Sequence, residues 1–302
     1  LIESPLDRLL ADQPALARRL KGIGRAAASL APVLLLGEPG TGRTALARAV
    51  HAASPRRDGP LIEVDPGSIP SSLLEAELFG HRRGAFTGAG TDQPGRVELA
   101  AGGSLLLDHV EELPLGSQPK LLRLLAEGVY APLGAREQRA DTRFLTIGSE
   151  DLEDRVRRGA FREDLFYRLE VLAFRVPPLR ERPEDLPGLI DRLLADLGER
   201  FARPGVALAD RAREWMVRHP WPGNLRQLKN TLERALILGG DARIDPEPPS
   251  GAGAPPRSLA DVEADEIRRA LAYTRGHQGR AAELLGISRK ALWAKRKRLG
   301  IP

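Results

Sequence analysis

The chain has 302 residues, a formal charge of +5, 42% hydrophobic and 29% charged residues, and no cysteine. These values fit about two globular domains and exclude disulfides, thiolate metal sites and cysteine nucleophiles. There is no apolar run near the ~20 residues of a membrane span and no signal-peptide pattern, so the expectation is a cytoplasmic protein with no membrane contact.

The five histidines show no H-E-x-x-H spacing, so no zinc site is expected. The first residue is Leu1 rather than Met, as in a piece of a longer protein. Charge is concentrated at the C-terminus. Residues 277–302 carry seven Lys or Arg and the one acid Glu283, a sum of +6, so the other 276 residues sum to −1. Basicity so localised predicts a C-terminal module for a polyanion.

In chain order, residues 1–30 read as helical, with Leu6, Leu9, Leu10, Leu16 and Leu20 on apolar faces and Gly22 and Gly24 as breakers. Val33–Leu36 is a run of β-formers. It leads into Gly37-Glu38-Pro39-Gly40-Thr41-Gly42-Arg43-Thr44, after which a helical pattern runs to Ala53. Strand, glycine-rich loop and helix in this order make a phosphate-binding P-loop. The glycines let successive N–H groups point at one anion, and the helix adds the positive end of its dipole. Thr44 supplies the hydroxyl such loops place on Mg²⁺. The bland alternative, a glycine-rich turn without a ligand, does not explain three glycines at this spacing ahead of Thr44. The motif wants Lys at position 43; Arg43 keeps the charge but is wider and planar. Next come a short strand, Leu61–Val64, a turn at Asp65-Pro66-Gly67, and an amphipathic helix, Leu73–Phe79. This alternation predicts an α/β domain on a largely parallel sheet.

Leu78-Phe79-Gly80-His81, followed by Gly84-Ala85-Phe86-Thr87-Gly88-Ala89, resembles the signature of the bacterial enhancer-binding proteins, the AAA+ activators of sigma-54 RNA polymerase. The resemblance implies that residues 84–89 form a mobile tip pressed onto the sigma factor, with one exposed Phe as its anchor. It places the Walker B motif at Leu105–His109. There Asp108 would hold Mg²⁺ with Thr44, and His109 stands where a Glu normally polarises water. Glu111 and Glu112 are expected outside the pocket. The first-sensor Asn aligns with Ser149 and the switch Asn with Asp65, neither of which offers an amide's paired donor and acceptor. Arg162 and Arg168, in Gly159–Leu169, correspond to arginines a neighbouring subunit offers to the nucleotide. By spacing alone they read as solvated.

Three helical patterns, Asp185–Phe201, Leu208–His219 and Asn224–Leu238, look like the helical lid of AAA+ proteins. In the turn Trp221–Arg226, Asn224 is the expected N-cap and Arg226 the second sensor facing the phosphates. Residues 241–257, with five prolines, read as a linker. A helix over Leu259–Tyr273, with Val262, Ile267, Ala270 and Leu271 apolar, precedes Arg280–Leu285, a turn at Gly286-Ile287, Ser288 as N-cap, and a basic helix Arg289–Leu299. This is a helix-turn-helix similar to the Fis-type DNA-binding domain. Arg280, Ser288, Arg289, Lys290, Lys295, Arg296 and Lys297 are its candidate DNA contacts, with Ser288, Arg289, Lys290 and Leu292 suited to bases and Lys295–Arg298 to the backbone. Leu284, Leu285, Ile287, Leu292 and Leu299 are expected in the core, with Trp293 packed.

The implied organisation is an AAA+ α/β subdomain (1–183), a lid (184–240), the linker, and a DNA-binding domain (258–302). The implied partners are duplex DNA, sigma-54 polymerase and further copies of the chain, from dimer to hexamer. The implied cofactors are ATP or another nucleotide, and Mg²⁺. Four departures (Arg43, Asp65, His109, Ser149) predict a regulator whose ATP hydrolysis is weak or lost. The alternatives are a working ATPase that remodels sigma-54 polymerase, and a pocket that senses a second messenger such as a cyclic dinucleotide.

Overall fold

The computed structural model describes residues 4–239, 243–248, 259–274 and 276–299. It comprises two compact units, Leu1–Pro249 and Ser250–Pro302.

The first unit opens with α1 (Pro5–Ala11), α2 (Pro14–Arg19) and α3 (Ile23–Ala28). The expected helical stretch is thus broken into three pieces. Ser4 and Asp7 form a capping box that starts α1, and Pro14 stands at the first turn of α2. Gly22 (φ 96°) precedes α3. Gly24, expected as a breaker, lies inside α3.

β1 (Val33–Gly37) then enters a five-stranded sheet, followed by α4 (Arg43–Ala52), β2 (Leu61–Val64) and α5 (Ser71–Phe79). A hairpin of β3 (Gly80–His81) and β4 (Gln93–Pro94), helix α6 (Arg96–Leu99) and β5 (Ser104–Leu107) come next. After them run α7 (Gln118–Glu127), the hairpin β6 (Val129–Tyr130) and β7 (Gln138–Arg139), β8 (Arg143–Gly148), α8 (Leu152–Arg157), α9 (Glu163–Leu169) and β9 (Ala173–Val176). The sheet order is β2-β5-β8-β1-β9, with every pairing parallel. Side-chain alternation splits the core into two layers. Leu34, Leu36, Leu105, Leu107 and Phe144 pack with α5, α7 and α9. Leu35, Leu106, Leu145 and Ile147 pack with α1 to α4. This is a three-layer form of the expected α/β domain on a parallel sheet, and it brings the C-terminal ends of β1, β2, β5 and β8 to one edge.

The helical part is α10 (Leu186–Arg200), α11 (Asp210–Arg218) and α12 (Asn224–Leu238), around a core that includes Trp221, Leu228 and Leu232. It also holds β10 (Ala207–Leu208) and β11 (Arg243–Ile244), paired in parallel. The sequence reading put a linker at 241–257, but Ile244 is 2% exposed within this core. A single buried residue in a proline-rich stretch gives no period to detect. The remainder of that linker, 249–257, lies outside the described residues. Among the described residues, no helix is long and apolar enough to cross a membrane.

The second unit is α13 (Leu259–Tyr273), α14 (Gln278–Leu284) and α15 (Arg289–Arg298), around Ala264, Ile267, Ala270, Ala281, Ala282 and Leu292. The side chain of Val262 lies outside the described residues. Ser288 caps α15, its Oγ accepting from the Ala291 N–H at 3.1 Å. Leu284, expected in the core, is 60% exposed, because the smaller Ala281 and Ala282 already fill the inward side of α14.

Candidate functional site

Gly40 (φ 79°) and Gly42 (φ 100°) turn the chain from β1 into α4 through left-handed conformations that side chains resist. The loop lies at the sheet edge where Thr44 Oγ1 donates to Asp108 Oδ2 at 3.0 Å. A hydroxyl beside a carboxylate is an all-oxygen donor set of the kind Mg²⁺ prefers, so these two residues fit the ion. Arg43 is buried at 6% exposure. Its Nη1 donates to the Gly148 carbonyl at the end of β8. Burial lowers its pKa, opposed by the charges of Asp108, Glu111 and Glu150. The guanidinium therefore spans from the loop to the first-sensor position.

Two of the departures from the motif meet. His109 Nδ1 lies 3.2 Å from Asp65 Oδ2 and 3.7 Å from Asp108 Oδ1. His109 holds φ 53°, a rare conformation for a non-glycine residue, and its N–H donates to Asp108 Oδ1 at 3.0 Å. Asp65 also accepts from the Gly67 N–H at 3.0 Å. Compared with the motif, the carboxylate has moved from the end of β5 to the end of β2. Ser149 donates its N–H to Glu111 Oε2 at 3.1 Å, and its hydroxyl bonds Asp151. Glu111, expected outside the pocket, is 7% exposed and electrostatically coupled to Arg43. The tight turn after His109 swings it back under β8.

The lid reaches the same loop. Leu225 N–H donates to the Gly40 carbonyl at 2.9 Å, and the space above Gly40 is bounded by Gly223 O and Arg226 Cβ. Glu38 takes a two-pronged pair from Arg180 at 2.9 and 2.5 Å, which holds its carboxyl below the usual carboxylate range. Arg182, 1% exposed, donates to Thr41 O and Gln13 Oε1, both at 2.8 Å, and burial brings its pKa down to about 10. Asp185, fully buried, accepts from the Ala15 and Leu16 N–H groups at the start of α2. Sequence reasoning gave none of Arg180, Arg182 and Asp185 a role. The only signal was the run of alternating charge Arg180-Glu181-Arg182 between Pro178 and Pro183.

Asn224 is not the N-cap it was expected to be. It holds φ 52°, is fully buried, and caps nothing in its own helix. Its Oδ1 accepts from Leu179 N–H at 2.8 Å, and its Nδ2 donates to Glu38 Oε2 at 3.0 Å and Pro39 O at 3.2 Å. Asn224→Asp keeps the shape but aims an acceptor at both of those oxygens. It is expected to cost about 2–3 kcal/mol, read as a lower urea midpoint by tryptophan fluorescence, to which the buried Trp221 of this core contributes. An unchanged midpoint would show that the amide is not holding the junction.

Arg162 and Arg168 are turned to local work. Arg162 pairs with Asp164 at 2.7 Å. Arg168 donates to the Leu125 and Ala126 carbonyls at the end of α7, at 3.0 and 3.3 Å. The tip between β3 and β4 is fastened at its base by Arg82–Asp92 at 3.0 Å. Phe86 is not fully exposed as expected: its ring meets His81 edge-on, centroids 5.0 Å apart, and it is half-buried. Thr87 is exposed and Ala89 is buried.

On α15, Arg289, Lys290, Trp293 and Lys297 are exposed. Leu292, offered for base readout, is 1% exposed and in the core. Lys295 and Arg298 both pair with Glu263 of α13, which ties these two cations to that helix. Trp293, expected to pack, is 58% exposed, with Lys297 Nζ 5.4 Å from its ring centroid.

Residues 9–175 match the family described as the sigma-54 interaction domain, 180–248 the AAA+ ATPase lid domain, and 258–299 the Fis family of bacterial regulatory proteins. The response regulator protein PilR of Pseudomonas aeruginosa is 40% identical over 99% of this chain and 71% of its own. The transcriptional regulator NtrC of a Bradyrhizobium species is 38% identical over 97% and 70%. NtrX of Brucella abortus, solved in complex with ADP, superposes with a TM-score of 0.70 at 31% identity, covering 98% of this chain and 72% of that one. The same protein in complex with ATP gives 0.66 at 31% identity, covering 99% and 68%.

Proposed function

Because the chain belongs to the sigma-54-dependent transcriptional activators, with an AAA+ domain and a Fis-type helix-turn-helix, we propose that it binds a nucleotide at the P-loop and hydrolyses it slowly or not at all. DNA binding and oligomer state would then carry its regulation, rather than ATP-driven remodelling. The similarity to NtrX, solved with ADP and with ATP, supports the nucleotide half of this reading.

The loop N–H groups and the N-terminus of α4 would take the phosphates, with Arg226 facing them from the lid. When bound at Thr44 and Asp108, Mg²⁺ would neutralise charge on phosphate oxygens. The observation that carries the reading is the His109–Asp65 contact at 3.2 Å. The group at the water-polarising position is turned to a neighbouring carboxylate and brings no negative charge of its own. Since phosphoryl transfer rests on positioning and electrostatics, losing that group raises the barrier directly. Nucleotide affinity and turnover measured together across protein concentration test this. Tight binding with turnover near background is expected. Robust turnover that climbs with assembly would overturn it.

The second reading, an active remodeller of sigma-54 polymerase, is favoured by the intact Phe86 loop. A Phe86→Ala chain that loses promoter activation while keeping DNA and nucleotide binding would support it, and full activation would remove it.

A further inference from the structure

The outward face of α15 carries an aromatic group that the fold does not use. Arg289, Lys290, Trp293 and Lys297 fall at i, i+1, i+4 and i+8, one stripe of the helix. All four are exposed. The opposite side holds Leu292 in the core, and Lys295 and Arg298 are tied to Glu263. No acid occurs from residue 284 to residue 299, so the stripe presents an indole among cations that no acid of their own helix offsets. The Lys297 ammonium lies near the indole, 5.4 Å from its centroid. Such a surface complements a polyanion that also offers apolar spots at its edges. Duplex DNA does so through the 5-methyl groups of thymine in the major groove.

We propose that Trp293 is a base-reading residue of this protein, its ring lying against thymine methyl groups while Arg289, Lys290 and Lys297 hold the flanking phosphates. This rests on the reading of residues 258–302 as a DNA-binding module and adds the specificity determinant within it. The indole stands one turn beyond Arg289 and Lys290, between them and Lys297, so it would reach base edges flanked by the phosphates those cations hold.

The test uses the full chain and a duplex enriched from a randomised pool by the wild-type protein. Each thymine in that duplex is replaced singly by deoxyuridine, which removes only the methyl group. At one thymine per half-site, deoxyuridine is expected to weaken wild-type binding by about 3–10-fold, and to change nothing for Trp293→Ala. Trp293→Ala should lose about 10-fold or more on the enriched duplex, with unchanged affinity for a scrambled duplex and an unchanged salt slope. Lys297→Ala should weaken both duplexes alike and reduce the slope by about one. Equal losses by Trp293→Ala on both duplexes, a persisting deoxyuridine response in that variant, or an altered sedimentation coefficient with discrimination intact would each overturn the proposal. Failure of the wild-type chain to bind either duplex at low salt would instead overturn the DNA-binding reading beneath it.

Discussion

Asp65→Asn combined with His109→Glu is expected to raise nucleotide turnover by about 10²–10⁴-fold, whereas His109→Glu alone should gain little. A Glu at 109 would set a second carboxylate against Asp65, whose Oδ2 now lies 3.2 Å from the imidazole. Two carboxylates that close cannot both ionise, so the new Glu would be protonated or pushed aside. Replacing Asp65 by Asn removes the clash and supplies an amide that can donate to the Glu. Thr44 and Asp108 already stand together at 3.0 Å, so the pair expected to hold Mg²⁺ need not be rebuilt. Adding Arg43→Lys should increase turnover further, since the guanidinium is bonded to the Gly148 carbonyl and a compact ammonium would be freer to turn to phosphate. The check is steady-state phosphate release by the four chains at matched concentration. Equal gains from the single and the double substitution would show that Asp65 does not control position 109.

The second large effect is expected at Gly40. An alanine there would carry φ 79°, and its Cβ would stand 2.7 Å from the Gly223 carbonyl oxygen and 3.1 Å from Arg226 Cβ. The left-handed conformation alone costs about 1–2 kcal/mol. The contact with Gly223 is to backbone, so relief requires moving either the loop or the lid turn. Moving the loop misaims the N–H groups meant for phosphate, and moving the lid breaks the Leu225 bond to the Gly40 carbonyl. Nucleotide affinity is expected to fall by about 30-fold or more, read by calorimetric titration. Gly24→Ala is the control: it lies in α3 with nothing within 4 Å of the new methyl and should stabilise the chain by about 0.5–1 kcal/mol. Undiminished affinity in Gly40→Ala would remove the loop from the account of binding.

Periodicity carried the sheet and the helices well. Leu61–Val64, the extent of α12 and the cap at Ser288 were all legible, because each depends on neighbours along the chain. What escaped were pairings between chain segments. Nothing in the spacing says that Asp65 at the end of β2 would meet His109 at the end of β5, since that depends on strand order. Glu111 is expected outside the pocket, but the left-handed residue at 109 reverses the chain and buries it, and a histidine in that conformation leaves no sequence signal. Asn224 has the residue type of a cap, yet its amide serves the P-loop and Leu179 instead. On α15 the error ran the other way. Trp293 is expected to pack, but Leu292 takes the inward position of α15 and the indole stands 58% exposed.

The strand pair β10–β11 bears on how this protein can be taken apart. A fragment severed at residue 240 would lack the mate of Ala207–Leu208 and the Ile244 side chain, leaving a hole in the helical bundle. Its complement, begun at 241, would carry an uncovered Ile244 near its start and an orphan edge that invites self-association. Fragments meant to behave independently should be divided beyond residue 248.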